Sequence, residues 1–175
     1  MESIVKTRGT VLYVEDGEEA RLLMEFAFQR EGLEGVLHGV TDGREALDYL
    51  SGHGDYAARD AHPLPAVVLL DLNLAGALHG FDVLKWIRAH PVHSHLPVVI
   101  FSSSVLEEDR TRARLLGAND FVEKPMSLAL LQKLARQLTE QWLNVGVVQA
   151  LMADASQGTG PKAGLGVGTA EVYRR

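Results

Sequence analysis

Among its 175 residues the chain has no cysteine. That single absence removes disulfides, thiolate metal sites and thiol nucleophiles. Long hydrophobic runs are missing too: no apolar stretch approaches the roughly 20 residues that span a bilayer, so no membrane partner is expected. The opening residues, MESIVKTRGTVLYV, lack the charged start, apolar stretch and small-residue cleavage site of a secretory signal. A cytoplasmic protein is the expectation. Positive charge is scarce, with 17 Lys and Arg against 23 Asp and Glu and a formal net charge of −6. A chain of that sign lacks the basic face of a nucleic-acid binder, so no nucleic-acid partner is expected. What the chain does have is apolar material, 46% of its residues, enough for the core of one ordinary domain plus something extra.

Strand and helix signals alternate along it. GTVLYV (9–14) is a short apolar run bounded by Gly and an acidic pair, and predicts a buried strand. EEARLLMEFAFQREG follows, with Leu22, Leu23, Phe26 and Ala27 at helical spacing and Gly32 as a stop. GVLHGV (35–40) is a weaker strand, and Asp42 is placed to cap the helix GREALDYL. A polar loop with two prolines, GHGDYAARDAHPLP (52–65), leads to the second strong strand, AVVLLD (66–71). Next come a helix, GFDVLKWIRAH, with Phe81, Leu84 and Ile87 on one face, and a third strong strand, LPVVIFSS (96–103). EEDRTRARLLGA (107–118) predicts a charged helix, NDFVEK (119–124) a short strand, and SLALLQKLARQLTEQWL (127–143) a long helix opened by Ser127. Five strands alternating with helices predict an α/β fold with a doubly wound parallel sheet covered on both faces. From about residue 153 the composition turns to Gly, Ala and Thr, and the expectation is a domain over 8–150, a flexible tail over 151–175 and no output domain.

In such sheets the ligand site lies beyond the C-terminal ends of the strands. Those ends carry Glu15-Asp16 after the first strand, Asp71 after the third, Ser102 after the fourth and Lys124-Pro125 after the fifth. Taken singly, each has an ordinary explanation as a turn, cap or solvated residue. Taken together they are hard to dismiss. Three carboxylates about 5 Å apart repel by roughly 3 kcal/mol per pair at an effective dielectric near 20, so the cluster needs a cation. Oxygen ligands without Cys or clustered His favour Mg²⁺. With Lys124 as a fixed positive charge and Ser102 as a short hydroxyl, the set has the parts of phosphoryl transfer.

The ordered set Glu15-Asp16, Asp71 in LLDLNL, Ser102 in VVIFSSS and EKP at 123–125 resembles the receiver domain of two-component response regulators over roughly residues 8–143. The resemblance implies a flavodoxin-like sheet of order 2-1-3-4-5. It implies that Asp71 accepts phosphate from a phosphohistidine of a sensor histidine kinase, that Asp16, Asp71 and the backbone carbonyl of Asn73 bind Mg²⁺ with Glu15 assisting through water, and that Lys124 and Ser102 hold the acyl phosphate. It further implies a cis Lys124–Pro125 bond and a switch in which Ser102 moves and Phe121 fills the vacated space. A plain core aromatic is the other reading of Phe121. More narrowly, the long 52–65 loop, the FSSS run and the extended last helix ending QWLNV are similar to single-domain regulators partnered with bacterial phytochrome-type kinases. Such proteins assist their own phosphotransfer and dephosphorylation but are not otherwise enzymes. The chain departs from the family after Asp71: Ala75 stands where receivers usually have Pro, and Gly80 lies nine residues past the aspartate instead of eight (80 − 71), which implies a looser loop.

Beyond the stripe Leu131, Leu134 and Leu138, apolar character continues through Trp142, Leu143, Val145, Val147 and Val148. This suggests a homodimer through helix four, strand five and helix five, with Phe121, Trp142, Leu143 and Val145 in the interface, unless the segment folds back on its own domain. The His90, His93 and His95 cluster is framed by Pro91 and Pro97 and reads as a surface turn before a metal site, and Arg110, Arg112 and Arg114 as a solvated or dimer-facing surface. Other functions fit less well. A haloacid-dehalogenase-type phosphohydrolase needs an acid/base aspartate where Asn73 stands. A flavodoxin-like cofactor binder needs a phosphate cradle where EDGEE would repel phosphate. A receiver serving only as a docking module would not need the full set of site residues.

Overall fold

Valine and leucine crowd the central strands because those strands are covered on both faces. In the computed structural model, which describes residues 9–143, β1 (Val11–Val14), β3 (Val67–Leu70) and β4 (Val98–Ser102) are buried at every position. They form a five-stranded, wholly parallel sheet with β2 (Leu37–Val40) and β5 (Asp120–Glu123) at its edges, in the order β2-β1-β3-β4-β5. This is the doubly wound order expected from the sequence.

The in-phase register, Val11 beside Val67 and Val68 beside Val98, sends alternate residues to opposite faces. Leu12, Val14, Val68, Leu70, Val98 and Ile100 pack under α2 (Gly43–Ser51), α3 (Gly80–Ala89) and α4 (Glu107–Leu115). Tyr13, Leu69, Val99 and Phe101 pack under α1 (Glu18–Arg30) and α5 (Leu128–Leu138). Local chemistry starts and stops these helices as the sequence suggests. Asp42 accepts a hydrogen bond from the Glu45 amide at 2.8 Å, and Ser127 accepts one from the Leu130 amide at 3.4 Å. The α2 helix ends on Gly52 in the left-handed region (φ 68°). Arg59, from the following loop, donates to the carbonyls of Tyr49 and Leu50 at 2.7 and 2.8 Å, adding a side-chain cap to the end of the helix. That loop also holds a short 3-10 turn, Gly54–Tyr56, which no sequence signal announced.

Three expectations need correcting. The buried face of α1 is Met24, Ala27 and Phe28, whereas Leu22 is 58% exposed and Leu23 and Phe26 also face solvent. Two apolar rows lie side by side on this helix, and the row with the bulkier residues is the outer one. No peptide bond is cis among the described residues, Lys124–Pro125 included. Trans is the lower-energy state of an X-Pro bond by about 0.5–1 kcal/mol, and Lys124 reaches its partners with it. Leu143 is not a surface residue: a π-helical turn, Thr139–Leu143, carries it back onto the sheet, where it is 1% exposed beside Gly9. Trp142 packs half-buried at the same place. Val145 and the 151–175 segment lie outside the described residues.

Candidate functional site

The parallel register places the ends of β1, β3 and β4 side by side, and each of these apolar strands gives way to polar residues there. Glu15 and Asp71 are each only 3% exposed and Ser102 is fully buried, whereas Asp16 faces solvent. Carboxylate oxygens of Glu15, Asp16 and Asp71 lie within 4.8 Å of one another. The residue types suit their distances. Ser102 comes from β4, next to β3, and is short. Lys124 comes just after β5, two strand spacings or roughly 10 Å from β3, and only a long side chain returns across β4. Its ammonium donates to Glu15 Oε2 at 2.5 Å and Asp71 Oδ2 at 2.8 Å. Burial alone would lower the Lys124 pKa, but the hydrogen bonds to Asp71 and Glu15 outweigh it, and the ammonium is held above the usual lysine value.

Each carboxylate is also fixed by a neighbour. The Tyr13 hydroxyl donates to Glu15 Oε2 at 3.0 Å and the Gly17 amide to Glu15 Oε1 at 3.1 Å. The Asn73 amide donates to Asp71 Oδ1 at 3.2 Å, and the Ala75 amide to Asp16 Oδ2 at 3.1 Å. Burial first, then the Glu15 charge and hydrogen bond, drives the Tyr13 phenol far above its ordinary pKa, so it stays a donor. Against three carboxylates stands one ammonium in contact, a balance of −2 (three minus one). A hard divalent cation with oxygen ligands is the charge and chemistry that would close it.

The loop after Asp71 is pinned at both ends. Ala75 is tied to Asp16, and the Gly80 amide donates to the Leu72 carbonyl at 3.1 Å. A Cβ on Gly80 would lie 2.2 Å from the Asp71 carbonyl oxygen, so glycine alone lets α3 start flush against the acidic site. At the tip of the loop Gly76 has a φ of 99°, in the left-handed region, with open space around it.

A family model described as the response regulator receiver domain matches residues 11–152. The chain belongs to the response regulator receiver family. Three relatives locate this receiver within it. The probable methanogenesis regulatory protein FilR2 of Methanothrix harundinacea is 34% identical over 133 residues, 76% of this chain and 83% of its own. The solved structure of response regulator RPA3017 in red light signaling of R. palustris is 34% identical with a TM-score of 0.71, covering 78% of this chain and 94% of that one. The phosphorylated cyanobacterial phytochrome response regulator RcpA is 31% identical with a TM-score of 0.69, covering 78% and 95%. The near-complete coverage of both solved chains matches this receiver to single-domain phytochrome response regulators.

Of the residues singled out in the sequence, the receiver brings together Glu15, Asp16, Asp71, Asn73, Ser102 and Lys124. Phe121 stands apart on β5, half-buried, with the Arg110 guanidinium 4.6 Å from its ring centre. Arg112 likewise lies 4.3 Å over the ring of Phe81, so two of the three α4 arginines cover aromatic rings. Sequence reasoning passed over Tyr13 and Asp109. Tyr13 sits two residues before Glu15 on the same side of a buried strand, and its hydroxyl needs a partner there. Asp109 accepts from the Ser104 hydroxyl at 2.5 Å, and the Ser104 amide donates to Ser102 Oγ at 3.1 Å, which fixes the β4–α4 turn around Ser102.

Proposed function

We propose that the protein is a single-domain response regulator that takes a phosphoryl group from a phosphohistidine of a sensor histidine kinase, of the phytochrome type, onto Asp71. The observation that carries this reading is the Lys124 ammonium bridging Glu15 and Asp71 at the strand ends, with Asp16 beside them. A carboxylate oxygen of Asp71 bonds to phosphorus as the P–N bond to the donor imidazole breaks. The ring keeps the electron pair and takes up a proton. Lys124 then holds an oxygen of the acyl phosphate, and the Ser102 hydroxyl, which accepts from Ser104 and keeps its own hydrogen free to donate, holds another. Glu15, Asp16, Asp71 and the Asn73 carbonyl fit Mg²⁺, which when bound supplies positive charge against that of the phosphoryl oxygens. The same residues assist hydrolysis of the acyl phosphate, and the protein has no further enzymatic activity.

The red-light and phytochrome roles of RPA3017 and RcpA support the choice of kinase, and the chain's working place is the cytoplasm. Output is a change in protein contacts, with Ser102 and Phe121 as the moving pair, from a domain over 8–150 followed by a tail over 151–175. The α4–β5–α5 face, with Phe121 and Trp142, makes a homodimer that Val145 extends.

With acetyl phosphate and Mg²⁺, the wild type is expected to gain one phosphoryl group by intact mass, and Asp71→Asn none. Equal incorporation by both would remove Asp71 as the acceptor. Sedimentation at tens of micromolar decides the dimer, which a monomeric wild type would rule out.

A further inference from the structure

At the end of the molecule where α2 and α3 finish, the 52–65 loop and the α3–β4 turn enclose a groove of about 650 Å³, within the size range of small-molecule sites. Leu50 and Leu64 give it an apolar wall, and Trp86, half-buried, gives it a flat one. His90 stacks on Trp86 with ring centres 3.7 Å apart and donates through Nδ1 to the Trp86 carbonyl at 2.8 Å.

His93 is the unusual member. It is only 9% exposed, it lines the groove, and its ring makes no hydrogen bond among the described residues. Its nitrogens are not sealed from solvent, and its ring is part of the groove lining. Burial first, then the charges of His90 and Arg59, lowers the His93 pKa, so the ring is neutral and keeps one N–H to give.

The electrostatics select the visitor. Arg59 spends its donors on the carbonyls of Tyr49, Leu50 and His62, and no carboxylate among the described residues pairs with it. Its charge therefore remains uncompensated at the groove wall. The one carboxylate on the rim, Asp48, is engaged by Arg44 at 3.3 Å.

We propose that this groove is a binding site for a small organic anion with a flat apolar body, its ring against Leu64 and the edge of the His90–Trp86 stack and its charged group toward His93 and Arg59. The site is separate from the acidic cluster and does not depend on how Asp71 is used.

The test uses the full chain and two probes, 8-anilino-1-naphthalenesulfonate and its uncharged parent N-phenyl-1-naphthylamine, followed by titration of amide and indole resonances. The sulfonate is expected to bind saturably, to shift His93 and the Trp86 indole, and to bind about tenfold more tightly than the parent. Val92 is 83% exposed on the rim, so Val92→Glu leaves folding intact. It should weaken the sulfonate about tenfold and the parent little. Equal binding of the two probes, or shifts falling on the exposed Leu22 and Phe26 of α1, would overturn the proposal. So would no saturation at millimolar probe, or a Val92→Glu variant that binds the sulfonate like wild type.

Discussion

The centre and the edges of the sheet are built by different rules. β1, β3 and β4 are sealed on both faces, while β2 is buried only at Val40 and β5 at no position. The centre delivers short side chains, Asp71 and Ser102, directly into the site. The edge delivers a long one, Lys124, that must cross β4 to take part. The acceptor thus stands on the sealed centre, and the ammonium that holds it is brought in from the margin.

Cutting that link should have the largest effect. Lys124→Ala is expected to slow phosphoryl incorporation about 10²–10³-fold, the usual loss for a charge-stabilising donor, measured with acetyl phosphate and Mg²⁺. The same variant tests the linkage to pH. A lysine raised in the folded state contributes stability that is complete below its unfolded pKa of about 10.4 and is lost as pH climbs through its folded value. Wild type should therefore lose stability above that pH, and Lys124→Ala should lose less over the same interval. A shared remainder belongs to Tyr13, Tyr49 and Tyr56, raised in the same sense.

Gly80→Ala comes next. Its Cβ would collide with backbone of the central strand's end, where nothing can swing aside, and a loss of about 3 kcal/mol is expected in urea unfolding. Val68→Ala at the centre should cost about 2–3 kcal/mol and Val122→Ala at the edge about 1 kcal/mol. Equal losses for the two valines would mean that the centre and edge are not packed differently after all.

The same contrast explains what the sequence could tell. Strands sealed on both faces leave continuous apolar runs, so VLYV, VVLL and VVIFS could be read directly, and the polar residues ending each run marked the site. Edge strands leave weaker runs, and β2 starts two residues later than the sequence implied. The inner face of α1 could not be read, because Leu22, Leu23 and Phe26 repeat at the same helical spacing as Met24, Ala27 and Phe28. Which row turns inward is settled by tertiary packing against the sheet and α5, not by period. Leu143 was misread because the backward turn that buries it carries no local signal. Tyr13 was hidden for the opposite reason: inside a strong strand, a tyrosine looks like one more apolar residue until Glu15 is seen above it. The α2–α3 groove was out of reach, since it depends on how residues some forty positions apart come to face each other.

Gly80 also has a meaning for heredity. Every amino acid one nucleotide change away from a glycine codon carries a Cβ, and at this position a Cβ has nowhere to go. No amino-acid change is therefore neutral there. Lineages can rebuild the open tip of the neighbouring loop around Gly76, but they can alter Gly80 only by first moving α3.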